Sequence, residues 1–203
     1  MFDLSAVPVR RRALLLATAA LLALTIYCLI SLGGGGGPQQ AGAQVSGNST
    51  TLLRLVDENG ELIEGDSTLE GHAQEIELRS WGFGVENSGG FETPGNAQAR
   101  PFTFEHGPNS SWPRLFAASA GGKRLSEAVL TVARTSGDRL VDYLVYRMKP
   151  VLVAKVEDTS SGGAPAQAVT VTYGAATVSY TPPQDPDGSP ITGGWDFITN
   201  KEP

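Results

Sequence analysis

The chain has 203 residues, one cysteine, two histidines and a net charge of −6. A single cysteine excludes an intramolecular disulfide framework, a cysteine-rich zinc site and a CxxC redox pair, and His72 and His106 alone offer little for a metal centre or a catalytic triad. From Gln44 onward, 12 Lys and Arg stand against 20 Asp and Glu, a balance of 12 − 20 = −8, and such an acidic body without a basic stripe predicts no nucleic-acid partner.

Residues 1–12 are predicted to form a basic cytoplasmic segment, because Arg10, Arg11 and Arg12 directly precede an apolar run at residues 13–32. That run carries no charge, and as a helix it would span about 30 Å, which matches the core of a bilayer. We therefore expect a transmembrane anchor or the h-region of a signal peptide. The positive-inside rule predicts a single-pass membrane protein whose C-terminal domain lies outside the cytoplasm.

The fate of this N-terminal segment has two alternatives. Ala41-Gly42-Ala43 has the small-x-small form that signal peptidases read, so cleavage after Ala43 would export the body. The apolar run is longer than the usual h-region of about 7 to 15 residues, which favours an uncleaved anchor. Residues 33–50 are predicted to be a flexible linker, because the five glycines from Gly33 to Gly37 can neither hold a helix nor pack a strand.

The body, residues 51–203, is predicted to be mainly β. Leu52 to Val56 and Glu61 to Glu64 flank Asn59-Gly60, a dipeptide that favours a tight hairpin because both turn positions tolerate positive φ. Gln74 to Arg79 alternates between apolar and charged side chains, which indicates a half-buried strand.

One helix is predicted among the strands. Asn109-Ser110-Ser111 offers capping oxygens, Pro113 suits a first turn, Leu115 to Ala120 are good helix formers and Gly121-Gly122 ends the helix.

The remaining predicted strands are short runs rich in β-branched and aromatic residues, with turn-like residues at Ser136-Gly137-Asp138 and a polar loop at Ser160 to Ala166. Many short strands with a single helix predict a β-barrel or a sandwich. These strands are Phe102 to Phe104, Ala128 to Arg134, Leu140 to Met148, Val151 to Val156, Val169 to Tyr173 and Thr177 to Tyr180.

Candidate catalytic and metal-binding motifs are weak. Gly65-Asp66-Ser67-Thr68 is similar to the opening motif of one esterase family, but the nucleophile there needs a histidine near the C-terminus and none follows His106. His72 and His106 could share a metal with Glu75 or Glu105, yet no HExxH or comparable ligand spacing is present. We expect two ordinary, satisfied histidines.

Six segments occur in an order that is specific as a set. They resemble the haemolysin-coregulated protein (Hcp) family, the tube subunit of type VI secretion, over nearly all of Leu52 to Asn200. The segments are His72 to Gly84, which is an acidic strand ending in Ser-Trp-Gly, Phe102-Thr103-Phe104, the helix Pro113 to Ala120, Ala128 to Arg134, Tyr143 to Val156 and the closing Gly194-Trp195-Asp196-Phe197.

The resemblance implies a small two-sheet β-barrel with one flanking α-helix, assembling as a homohexameric ring. In the family, rings stack into a tube whose lumen carries effector proteins, and the subunit has no catalytic residues. The loop Glu86 to Arg100 matches a region that contributes to contacts between stacked rings. The expected partners are therefore further copies of the chain, secreted effector proteins and, through the N-terminal helix, the membrane; no catalytic, cofactor-binding or metal site is expected.

The first 50 residues depart from the family pattern, because family subunits resemble a bare domain that begins near the Leu52 strand. A subunit tethered outside the cytoplasm would not enter a cytoplasmic sheath. The alternative function is therefore a membrane-anchored or exported binding module that keeps the fold and does not build a secretion tube.

Overall fold

The computed structural model describes residues 49–90, 95–136, 139–161, 163–182 and 185–203. These ranges contain nine strands and one α-helix. The strands are β1 Ser49–Asp57, β2 Ile76–Gly82, β3 Val85–Asn87, β4 Ala97–Ala99, β5 Phe102–His106, β6 Arg124–Ser136, β7 Arg139–Ser161, β8 Ala164–Tyr180 and β9 Ile191–Asp196, and the helix is α1 Trp112–Ala120.

Six of the strands close into a barrel. Their order is β5-β2-β1-β6-β7-β8, and β5 pairs back onto β8 to complete the circle. β8 pairs with two different strands along the same edge: its residues 167–171 pair with β5, and its residues 175–180 pair with β9. The predicted mainly-β barrel with one helix is confirmed for the described residues. The wall, however, is one continuous sheet rather than two, because the β5–β8 pairing joins its two ends.

Apolar side chains from all six barrel strands fill the interior. In β1, Leu53 and Leu55 lie in the core. Alternate residues of a strand point to opposite faces, and on the other face Arg54 is exposed while its neighbours Leu52 and Val56 are buried. Small barrels are packed by side chains rather than hollow. Fully buried members of this core include Leu53, Ile76, Phe102, Leu130, Met148 and Val171.

Helix α1 packs its apolar side against the same core. Leu115 and Ala118 are its buried residues, as an amphipathic helix requires. The predicted end at Gly121-Gly122 is confirmed: the N–H of Lys123 donates to the carbonyl of Ala118 at 3.0 Å, and Gly122 has φ +59°. This is a Schellman ending, in which the left-handed residue is a glycine because it has no Cβ to clash.

The predicted hairpin at Asn59-Gly60 is confirmed as a turn but not as a pair of strands. Gly60 has φ +85°, and the Asp57 carboxylate accepts hydrogen bonds from the N–H groups of Asn59 and Glu61. The residues after the turn pair with β1 through a single β-bridge, between Val56 and Leu62. The strand predicted at Glu61 to Glu64 is therefore wrong.

The strands predicted at 140–148 and 151–156 are both part of β7, and those predicted at 169–173 and 177–180 are both part of β8. β7 continues through Pro150, which separates its two predicted strands, because Gly174 lies opposite on β8. A Cβ on Gly174 would lie 2.9 Å from Cδ of Pro150, so glycine leaves the room that the proline ring occupies. The loop predicted at Ser160 to Ala166 is also too long, since Ser161 already pairs with Ala164.

The predicted localisation is corrected. In the part of the chain that the structure describes, no helix is both long and apolar enough to cross a membrane. The prediction of a single-pass membrane protein with its C-terminal domain outside the cytoplasm, or of export after cleavage, is withdrawn on this finding. The segments 1–12 and 13–32 and the linker up to residue 48 lie outside the described residues.

Candidate functional site

The two histidines occupy separate networks. His72 contacts Glu75 and Asp142, whereas His106 contacts Gln167 and Asn109. Within the ranges described above, no group of three or more His, Cys, Asp or Glu side chains could hold a metal ion.

His72 connects the segment before β2 to the beginning of β7. Its Nδ1 lies 2.9 Å from Oε2 of Glu75, and its Nε2 lies 3.0 Å from Oδ1 of Asp142. Because ionised carboxylates only accept hydrogen bonds, both contacts are satisfied only when both ring nitrogens carry a proton. Burial alone would lower the pKa of His72, but the hydrogen bond to Glu75 and the charges of Asp142 and Glu75 outweigh it and raise the pKa.

The His72 contacts make part of the folding stability pH-dependent. A raised pKa in the folded state means that the contribution is fully present below the unfolded pKa of about 6.5 and is lost as the pH rises through the folded value. We expect the free energy of unfolding of wild type, relative to a His72→Gln variant, to decrease from about pH 6 upward. Urea denaturation of both proteins at increasing pH measures the difference.

The comparison with His72→Gln is needed because His106 also makes the free energy of unfolding depend on pH. Burial lowers the pKa of His106, so its contribution has the opposite sign and is lost as the pH falls. The subtraction removes the His106 contribution, which both proteins share. If the difference in free energy of unfolding between wild type and His72→Gln did not change with pH, the protonated His72 would not be stabilised by Glu75 and Asp142.

His106 and Gln167 are the buried members of a polar network that extends to the exposed side chain of Asp158. Its Nε2 is 3.1 Å from Oε1 of Gln167, and Nε2 of Gln167 donates to Oδ1 of Asp158 at 2.8 Å. The other oxygen of Asp158 accepts a hydrogen bond from the indole N–H of Trp112 at 3.3 Å. This network joins Trp112, the first residue of α1, to the β7–β8 hairpin, and the hydrogen bonds of His106 therefore stabilise the fold.

The Gly65-Asp66-Ser67-Thr68 motif leads into a turn: the N–H groups of Gly65 and Ser67 donate to the carbonyls of Gln74 and Glu75 on the returning segment. Ser67 is buried, and its Oγ accepts a hydrogen bond from the N–H of Leu69. The carboxylate of Asp66 accepts hydrogen bonds from the N–H and hydroxyl of Ser110, ahead of α1. These contacts give Asp66 and Ser67 structural roles.

A two-stranded hairpin made of β3 and β4 forms a second sheet, and Ala99 of β4 packs against the barrel core. Its three residue pairs join Val85 to Ala99, Glu86 to Gln98 and Asn87 to Ala97, and neither strand pairs with the barrel. An ion pair crosses its base, because Nε and Nη2 of Arg100 both donate to Oε2 of Glu86, at 2.9 and 2.7 Å. All three residues of β3 are exposed. The loop predicted at Glu86 to Arg100 is thus partly ordered as strands.

Tyr173 of β8 holds the base of the hairpin. Its hydroxyl donates to the carbonyl of Gly84 at 3.3 Å, and the same carbonyl accepts the N–H of Arg100 at 3.0 Å. The ring of Phe83 stacks on that of Tyr173, with centroids 5.5 Å apart. Burial raises the pKa of Tyr173 to about 12, so the hydroxyl keeps its proton and remains a donor.

A turn after β9 reaches the hairpin from the C-terminal side. Oδ1 of Asp196 accepts the N–H groups of Ile198 and Thr199 at 2.8 and 2.9 Å, and these bonds lower the pKa of Asp196. Oδ1 of Asn200 accepts hydrogen bonds from the N–H of Ala97 at 3.2 Å and from the indole of Trp195 at 3.3 Å. The sequence pointed to Trp195 but not to Asn200; its only local signal is an Asx residue in a turn.

Several large apolar side chains of the described residues are exposed to solvent. The most exposed are Ile198 at 72% and Ile191 at 67%. Exposed apolar residues are ordinary when scattered singly, so their number alone does not define a contact face. The others are Val85, Phe116, Leu152 and Tyr180.

Comparison with known proteins matches this barrel to one family. The family model described as "Type VI secretion system effector, Hcp" matches residues 53–180. The chain is 30% identical over 148 residues to protein hcp1 of Pseudomonas aeruginosa, an alignment that covers 68% of this chain and 91% of that protein.

Solved structures give the same likeness. Hcp1 from Salmonella typhimurium superposes with a TM-score of 0.63 at 26% identity, covering 77% of this chain and 99% of that one. Hcp1 from E. coli EAEC 042 superposes with a TM-score of 0.64 at 22% identity, covering 73% and 98%. The family model spans the strands from β1 to β8 that close the barrel, and the chain therefore belongs to the Hcp family of type VI secretion proteins.

Proposed function

We propose that the chain is a non-enzymatic structural subunit that self-associates into hexameric rings and that the rings stack into a tube related to that of type VI secretion. Family membership supports the type VI assignment. The folded unit in this proposal is the domain predicted at residues 51–203 together with Ser49 and Thr50, which already belong to β1. Secreted effector proteins are the cargo that such a tube would carry.

The observation that carries this proposal is the filled interior of the barrel. Phe102, Leu130 and Met148 are fully buried inside it, so the barrel formed by the described strands has no channel through it. A passage wide enough for a protein must then lie between several copies arranged around an axis. Closed rings of identical subunits are the common way in which chains enclose such a space.

The chemistry of the described residues agrees with a passive role. His106 is bound within a structural network, His72 is held between two carboxylates, and Ser67 is buried with its hydroxyl bound to the N–H of Leu69. Among the described contacts, neither histidine meets the hydroxyl of Ser67, as the nucleophile and base of an acyl-transfer site would.

The proposal is tested by the oligomeric state of the full chain. We expect a mass of six subunits by analytical ultracentrifugation over a wide range of protein concentration, and rings in negative-stain electron micrographs. A monomeric mass at every protein concentration would contradict the ring proposal. It would favour the alternative, a binding module with the same fold that builds no tube.

A further inference from the structure

Asn59-Gly60 is a chemically reactive pair on the surface of the chain. It is the one place in the sequence where glycine follows asparagine, and both residues are exposed in the turn after β1. The main-chain nitrogen that follows an asparagine can attack the carbon of its side-chain amide. Glycine hinders this attack least because it has no Cβ. The other asparagines precede serine, alanine or lysine, whose side chains crowd the same approach.

The reaction is a deamidation that consumes water and releases ammonia. The N–H of Gly60 loses its proton to hydroxide, and the nitrogen forms a bond to Cγ of Asn59. The bond from Cγ to Nδ2 breaks, Nδ2 leaves as ammonia, and a five-membered succinimide ring remains. Water then opens the ring at either carbonyl, which gives aspartate or isoaspartate at position 59. The net change exchanges an amide NH₂ for OH, and nothing is oxidised or reduced.

The turn engages both reacting groups in other contacts. The N–H of Gly60 donates to the carbonyl of Asp57 at 3.2 Å, so the proton that must leave is hydrogen-bonded. Nδ2 of Asn59 donates to Oδ2 of Asp57 at 3.3 Å, which restrains the amide. Attack requires the nitrogen and the carbon to come within about 3 to 3.5 Å of each other in the right orientation, and these two contacts restrict that movement.

The carboxylate of Asp57 also maintains the turn itself. Its Oδ1 accepts the N–H groups of Asn59 at 2.8 Å and of Glu61 at 2.9 Å. The hydrogen bond from Glu61 is the largest cause that lowers the pKa of Asp57, so this side chain is an ionised acceptor at neutral pH. Asp57 thus holds the residues on both sides of Gly60, which has φ +85°.

We propose that Asn59 is a deamidation site of the folded chain and that Asp57 is the positioning residue that slows its conversion. The product carboxylate at position 59 replaces the donor that faces Oδ2 of Asp57, so an attraction becomes a repulsion between like charges. Each conversion therefore adds a negative charge to an acidic body and removes a contact that holds the turn. This inference does not depend on the proposed function.

The test follows Asn59 in the full chain during incubation at mildly alkaline pH. Trypsin releases residues 55–79 as one peptide, between Arg54 and Arg79, and Asn59 is its sole asparagine. Mass spectrometry of this peptide measures conversion, and electron-transfer fragmentation separates aspartate from isoaspartate. Folded wild type is expected to convert faster at Asn59 than at any other asparagine. Its rate there is expected to be at least about tenfold lower than in the urea-unfolded chain, the factor that corresponds to one ordinary hydrogen bond.

Three variants separate the restraint from a general effect of charge or stability. Asp57→Ala is expected to convert at Asn59 about tenfold faster than wild type. Asp57→Ser removes the same charge but keeps an oxygen that accepts from an N–H two residues on, so its rate is expected to fall between those of Asp57→Ala and wild type. Glu58→Ala also removes one charge, and the structure describes no contact of this side chain with Asn59, so wild-type behaviour is expected. An unchanged melting temperature in all three shows that the barrel is intact.

Each contrary outcome would overturn a defined part of the inference. Equal rates in folded and urea-unfolded wild type, or in Asp57→Ala and Glu58→Ala, would overturn the restraint by Asp57. Equal rates in Asp57→Ala and Asp57→Ser would assign the effect to charge and overturn the role of the turn hydrogen bonds. Faster conversion at another asparagine of the folded chain would overturn Asn59 as the site. The rate at Asn59 is measured whether or not the chain forms rings, so failure of the proposed function leaves this test intact.

Discussion

Replacing Phe102 by alanine is expected to lower the free energy of unfolding by about 4 kcal/mol. Phe102 is fully buried, and it begins β5, the strand whose pairing with β8 closes the barrel. Its partner across that seam is Val171, which is also fully buried. The substitution removes an aromatic ring and leaves a cavity where two ends of the sheet meet, so the surroundings cannot readily collapse into it.

Equilibrium urea denaturation of the full chain measures this effect. Thr103→Ala is the matched control, because Thr103 is the next residue on the same strand and its side chain is exposed. The control is expected to cost less than about 1 kcal/mol. A loss below about 2 kcal/mol for Phe102→Ala would mean that the seam is not part of the tightly packed core.

The second large effect is expected at Gly65, where alanine should cost about 3 kcal/mol. A Cβ there would lie 2.4 Å from the carbonyl oxygen of Glu75 and 2.8 Å from Cα of Ile76. Both are backbone atoms at the start of β2, so no side chain can rotate away. Relief requires moving the chain segment that enters the barrel, together with the hydrogen bond from the Gly65 N–H to the Gln74 carbonyl at 2.7 Å.

Gly71→Ala provides the comparison for Gly65→Ala. Gly71 has φ +80°, but a Cβ at that position would meet nothing within 4 Å. Its substitution therefore costs only the strain of a left-handed alanine, about 1 to 2 kcal/mol. Chemical denaturation of both variants separates close backbone approach from conformational strain, and equal losses would show that the crowding at Gly65 is unimportant.

Local patterns in the sequence predicted the elements whose signals lie within a few residues. The alternation of Phe102-Thr103-Phe104 predicted a strand, and Pro113 with Gly121-Gly122 predicted both ends of the helix to within about one residue. The order of such motifs also carried the family resemblance, which the comparisons confirm. These features depend on side-chain period, fixed φ angles and glycine at positive φ, which are properties of short segments.

Other expectations failed where a distant residue decides the local structure. Pro150 signals a break, but Gly174 on the neighbouring strand makes room for it, and β7 continues. Asn59-Gly60 forms its turn, yet the following residues lie beside β1 through only one bridge, since β2 takes the neighbouring place. Neither outcome can be predicted from the segment alone.

The sequence by itself determined the mainly-β body, the helix and its ends, and a family likeness. Only the tertiary structure decided the closure of the barrel through the pairing of Phe102 with Val171, the contact of His72 with Asp142 and the contact of Asn200 with Ala97. The last two join residues 70 and 103 positions apart. Contacts at such separations depend on how whole strands are arranged around the core, and no periodic pattern in a short segment records that arrangement.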